Sequence, residues 1–140
     1  MGLLSDFFIA HTTPVPDYQG GEAFADADKC QFKYLTPLQA AQFLAVLRGQ
    51  EYAVEMINEF ELVTPEDAED WTMLVPQDMV DALARIDNTR VSAVASQFAE
   101  ATREELEWSP EDFVPIVSAL AALAQRAIAT GKRMYLWNCL

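Results

Sequence analysis

Residues 109–140 read Ser109-Pro110-Glu111-Asp112-Phe113-Val114-Pro115-Ile116-Val117-Ser118-Ala119-Leu120-Ala121-Ala122-Leu123-Ala124-Gln125-Arg126-Ala127-Ile128-Ala129-Thr130-Gly131-Lys132-Arg133-Met134-Tyr135-Leu136-Trp137-Asn138-Cys139-Leu140. Two periodicities follow one another here. Phe113, Ile116, Val117, Leu120, Leu123, Ala124, Ala127 and Ile128 form one helical stripe. Ser109 stands at N-cap, Pro110 at N1 and Asp112 at N3, while Gly131 suits the left-handed C′ position. Trp108 and Phe113 occupy the two positions of a hydrophobic staple. Pro115 removes a bond to Glu111, which predicts a kinked first turn or a regular start near residue 115. After Gly131 the period drops to two. Met134, Leu136 and Asn138 fall on one side of a strand, with Tyr135, Trp137 and Cys139 on the other. A strand this apolar is expected to be central or well covered, because an exposed edge would aggregate.

Outward from this run, the same start signal recurs at Thr36-Pro37-Leu38-Gln39 and Thr64-Pro65-Glu66-Asp67. The first opens a helix whose face is Leu38, Ala41, Phe43, Leu44 and Leu47, stopped by Gly49. The second has only a short run before strand-like Trp71 to Val75 and predicts a single turn. Met79, Val80, Leu83 and Ile86 predict a third helix, ending near Asp87-Asn88. Val91, Val94, Ala95, Phe98 and Thr102 predict a fourth. Phe7-Phe8-Ile9, the segment of Phe32, Tyr34 and Leu35, and Phe60 to Val63 read as further strands, and the first is expected to pair with the closing strand. Residues 12–30, with Pro14, Pro16, Gly20 and Gly21, read as a long loop of the kind that often carries function. The predicted fold is α+β over a single globular domain, 1–140. A small mixed or antiparallel sheet includes both chain termini, and about four helices pack mainly on one face.

The chain has 140 residues, 51% of them hydrophobic, which is ample for a core without metal or disulfide. Its 9 basic residues against 22 acids give a net charge of −13. That balance excludes direct binding to a nucleic-acid backbone and disfavours an anionic membrane, while attracting a basic protein. Asp6 interrupts the first apolar run, so no secretory signal is read, and no stretch approaches a membrane span. Without an export signal, Cys30 and Cys139 are expected to be reduced thiols in a cytoplasmic protein.

Motifs for chemistry are sparse. His11 is the single histidine, and Ser5, Cys30 and Cys139 lack the surroundings of an activated nucleophile. Asp26-Ala27-Asp28 is too short a pattern to indicate a metal, and cysteine–histidine ligand spacing is missing; neither metal nor cofactor is expected. The charge map is more informative. Between Arg48 and Arg85 lie ten acids and no base. Glu59, Glu61, Glu66, Asp67, Glu69 and Asp70 lead directly to Trp71, which suggests charge for steering beside an aromatic anchor. A second acidic group surrounds Trp108.

The opening Met1-Gly2-Leu3-Leu4-Ser5-Asp6-Phe7-Phe8 and the close Gly131-Lys132-Arg133-Met134-Tyr135-Leu136-Trp137-Asn138-Cys139-Leu140 resemble small uncharacterised bacterial proteins with an MG…FF start and a YxWxxL terminal strand. The order of helices between them is also similar. That resemblance implies a fold and brings no activity. By analogy with toxin-immunity partners, the expected function is a non-catalytic interaction module that shows an acidic face to a basic protein. The competing expectation is a small ligand-binding domain or enzyme, whose pocket between the 12–30 loop and the helices is lined by His11, Asp17, Asp26 and Asp28. Self-association into a homodimer is a third.

Overall fold

The structure is a computed structural model describing residues 3–140, so the Met1-Gly2 of the opening motif lies outside it. Five strands form one sheet: β1 (Leu4–Ala10), β2 (Lys29–Lys33), β3 (Glu61–Leu62), β4 (Asp70–Leu74) and β5 (Arg133–Cys139). Their spatial order is β2-β1-β5-β4-β3, and every pairing is antiparallel. The apolar closing strand is therefore the middle of the sheet, as its composition requires. It pairs with β1 from Leu4 opposite Cys139 to Ala10 opposite Arg133.

The helical layer comprises α1 (Pro37–Arg48), α2 (Gln77–Ala84), α3 (Val91–Ala101), the one-turn α4 (Arg103–Leu106) and α5 (Pro110–Thr130). It covers the face bearing Phe7, Ile9, Met134 and Leu136. Phe43 of α1 stacks on Phe98 of α3 at 4.1 Å between centroids, and both meet Phe113 of α5 edge-on. Each such ring, fully buried, contributes roughly 2–3 kcal/mol through apolar area alone. Asn138 faces the same side. Its amide donates to the carbonyls of Leu4 and Leu35 and to the Ser5 hydroxyl, so this polar side chain ties the sheet to the start of α1.

The capping signals explain where the helices begin. Gln39 accepts from the Thr36 backbone N–H at 2.8 Å, and Asp112 accepts from that of Ser109 at 2.9 Å. The staple is also formed, with Trp108 and Phe113 centroids 5.5 Å apart. Pro115 does not delay α5, which runs unbroken from Pro110. Pro115 and Glu111 are both exposed, so water can satisfy the carbonyl that the proline leaves without a donor. At Thr64 the start signal does something else. Its hydroxyl accepts from the Thr72 N–H at 3.2 Å, and the segment is a turn between β3 and β4, as the short run before Trp71 predicts. The second strand also ends earlier than its aromatics suggest, because Tyr34 adopts φ +68° and turns the chain out of the ladder.

The expectation that no segment approaches a membrane span needs correction. α5 has 21 residues and a mean hydropathy of 1.5 over its best window, long and apolar enough to cross by length and composition. In this fold it is a core helix, with Phe113, Val117, Leu120, Leu123, Ala124 and Ala127 buried.

Candidate functional site

The outer face of the sheet, opposite the helices, is covered by the loop of residues 11–28. Tyr18 is its anchor. The ring stacks on Phe8 at 4.4 Å and 19° and leans on Trp137, while Phe24 meets Phe8 edge-on. Tyr135 completes this small second core. Gly21 lets the loop close. It adopts φ +82°, and a Cβ there would lie 2.4 Å from the Tyr18 hydroxyl oxygen.

Beneath the loop sits a buried acid. Asp6 is 3% exposed, and its Oδ2 accepts from the Tyr18 hydroxyl at 2.7 Å and from Gln31 Nε2 at 3.1 Å. Burial pushes the Asp6 carboxyl above the usual aspartate range, against the opposing pull of these two bonds and of Lys29. The Tyr18 hydroxyl is pushed upward by its own burial and by the same bond, so it remains a donor. Beside Asp6 is a hollow of about 230 Å³ lined by Leu4, Gly20, Gln31, Lys33 and Trp137 among others. The Trp137 indole N–H donates to Asp70 Oδ2 at 2.7 Å, linking this region to the start of β4.

The acidic segment folds into the turn and edge strand at the other side of the sheet. Glu61, Glu66, Asp67 and Glu69 are exposed, and among the described residues none makes an ion pair. Asp70 is half-buried under its bond from Trp137. Trp71 is half-buried on the helical side of β4, opposite Asn138. Glu59 is set apart from this group. Arg48 grips it with two bonds of 2.7 Å and holds Asp78 with its Nε at 2.8 Å, which keeps both carboxyls below their usual ranges. This clasp joins the end of α1 to α2 and ties Glu59 into an ion pair.

The residues of the competing pocket are scattered. His11 and Asp17 are exposed on the loop over the outer face. Asp26 lines a hollow of about 330 Å³ between the loop's end and α5, together with Cys30, Leu123 and Arg126. Asp28 pairs with Arg126 at 2.6 Å and Lys132 at 3.5 Å, and the hydrogen bond from Arg126 is the main cause that holds its carboxyl low. It works as a strap between loop and helix end. Cys30 donates to the Ala119 carbonyl at 3.5 Å, and burial pushes its thiol up to about 11, away from reactivity. Cys139 lies on the opposite face of the sheet, and both thiols are free. Among the described residues no three His, Cys, Asp or Glu side chains cluster as metal ligands.

Sequence reasoning missed Asp6, Tyr18, Gln31 and Trp137 as a group. One signal was available. Alternation sets Asp6 on the same strand face as Phe8, and an acid inside an apolar strand is either exposed or specifically bonded. No family model, no curated protein and no solved structure matches the chain, and its functional reading rests on these geometries.

Proposed function

We propose that this protein is a non-catalytic interaction module that presents the β3–β4 turn and the adjoining sheet edge to a basic protein partner. The observation carrying the reading is the set of exposed acids without ion pairs, Glu61, Glu66, Asp67 and Glu69, on one hairpin. Asp28, Glu59 and Asp78, by contrast, are held in ion pairs. Concentrated negative charge in a chain of net charge −13 speeds encounter with a basic surface and rejects acidic ones. β3 has β4 on one side only and is a sheet edge, so its outer backbone groups are available to a partner. Trp71 at the root of the turn supplies apolar area beside the charge. The protein acts in the cytoplasm on this reading, with α5 held in the core, and a toxin neutralised by this surface is the narrower form of the partner.

The test compares the native chain with a Glu66→Gln, Asp67→Asn, Glu69→Gln triple variant, capturing partners from the native host at low salt and at about 0.5 M salt. A basic protein should be retained by the native chain, released by salt and lost with the triple variant. If the retained proteins are the same for both chains and indifferent to salt, the reading fails.

A further inference from the structure

The hollow beside Asp6 is separate from the acidic hairpin and poses its own chemical question. A carboxylate as buried as Asp6 is costly unless its oxygens are satisfied. Both of its hydrogen bonds fall on Oδ2, and among the described residues no donor reaches Oδ1. Gln31 is oriented by the same contact. A carboxylate only accepts, so the Gln31 amide must turn its Nε2 to Asp6, which leaves Oε1 as an acceptor without a partner in the described chain. Trp137 spends its only donor on Asp70, so what remains for the hollow is its apolar ring. Leu4 extends that apolar wall. The site thus offers acceptors, an aromatic surface and a single donor group, the exposed Lys33.

We propose that this hollow binds an organic cation, a primary ammonium or guanidinium head on a short apolar stem. The head donates to Asp6 Oδ1 and Gln31 Oε1, forming charge-assisted bonds in a partly dry setting. The stem lies against Leu4 and Trp137, where the ring adds attraction for the cation. A volume of about 230 Å³ suits a head and a few carbons, and not a nucleotide. An inorganic divalent ion is a poorer fit, because one carboxylate without further clustered ligands does not build its shell. Two lysines oppose the ligand: half-buried Lys29, held on the Gly21 carbonyl and already acting on the Asp6 charge, and Lys33, screened by water at the exposed rim.

Titration calorimetry with n-butylammonium, n-butylguanidinium and n-butanol tests this directly. The cations should saturate with Kd of about 1 mM, and butanol should bind at least about tenfold more weakly. Asp6→Asn should weaken the cations about tenfold, and Lys33→Gln should tighten them about two- to threefold. Should Asp6→Asn fail to fold, Gln31→Leu serves instead. Its side chain is exposed, and its loss should weaken binding severalfold. A blocked lysine amide as ligand separates two sources of the same chemistry. Tighter binding than butylammonium points to a partner's lysine, and weaker binding to a free amine. Neutralising Glu66, Asp67 and Glu69 should leave the cation Kd unchanged within about twofold, so this site and the hairpin stand or fall apart. Equal binding of butanol and the cations, no saturation by about 50 mM, or a folded Asp6→Asn variant that binds as the native chain does would overturn the proposal.

Discussion

Replacing Tyr18 by Phe removes one oxygen and leaves the ring that stacks on Phe8 and leans on Trp137. The loss is the 2.7 Å bond to Asp6, made between residues that are 2% and 3% exposed. A buried bond to a charged acceptor contributes about 1.5–3 kcal/mol, and Gln31 alone then serves the carboxylate. We take about 2 kcal/mol near neutral pH. At about 2.1 cal/mol/K per residue, 140 residues give a melting entropy of roughly 0.29 kcal/mol/K and a fall in Tm of about 7 °C. The loss should also depend on pH. The folded Asp6 carboxyl already titrates above its ordinary range, so its contribution to stability is complete below that range and is lost as pH rises through the folded value. The Tyr18 bond pulls that value down, and deleting it raises the value further. The variant should therefore lie nearest the native protein in acid, with the gap widening as pH rises. Urea unfolding at about pH 4 and pH 7.5, followed by far-UV circular dichroism with m held constant, measures both effects. A neutral-pH gap under about 0.5 kcal/mol, or the same gap at both pH values, would refute a charge-assisted bond.

Three further outcomes can be checked by similar means. Asp28→Asn should cost about 1 kcal/mol at neutral pH by loosening Arg126 and Lys132. Because the folded Asp28 carboxyl is lowered, its contribution is present above the ordinary aspartate range and lost as pH falls through the folded value, so the two urea curves should converge in acid. Phe43→Ala removes the ring between Phe98 and Phe113 and should cost about 3–5 kcal/mol, read as a Tm fall above 10 °C by about the same entropy. Gly21→Ala should expose the second aromatic core through the clash with Tyr18 and its positive φ, measured as faster proteolysis within residues 11–28 at a small loss of global stability.

What could be read from sequence was local and periodic. The capping residues at Thr36 and Ser109 located two helices, since a hydroxyl or carboxylate next to a proline acts within one turn. The alternation of Met134 to Cys139 assigned each side chain to its proper face, because the period of a strand does not depend on its neighbours. Thr64-Pro65 carried the same letters but had a different outcome. The short run before Trp71 already read as a single turn, and the turn is there; what the sequence did not show is that the Thr64 hydroxyl accepts from the Thr72 N–H across it. The charge map located the exposed hairpin acids, yet it grouped Glu59 with them, because Arg48 reaches it only once the Val54–Glu59 segment folds back against the end of α1. The site around Asp6 was hidden for the same reason. Tyr18 is 12 residues away, Gln31 is 25 away, and Trp137 stands opposite Asp6 across the ladder. Only the completed sheet makes them neighbours.

The pairing of Leu4 with Cys139 at one end of the β1–β5 ladder has a mechanical meaning. Tethers fixed to these two residues would leave the sheet side by side, so tension between them would load one rung at a time. The central ladder would then open under pull like a zipper, with no shear resistance shared across its length.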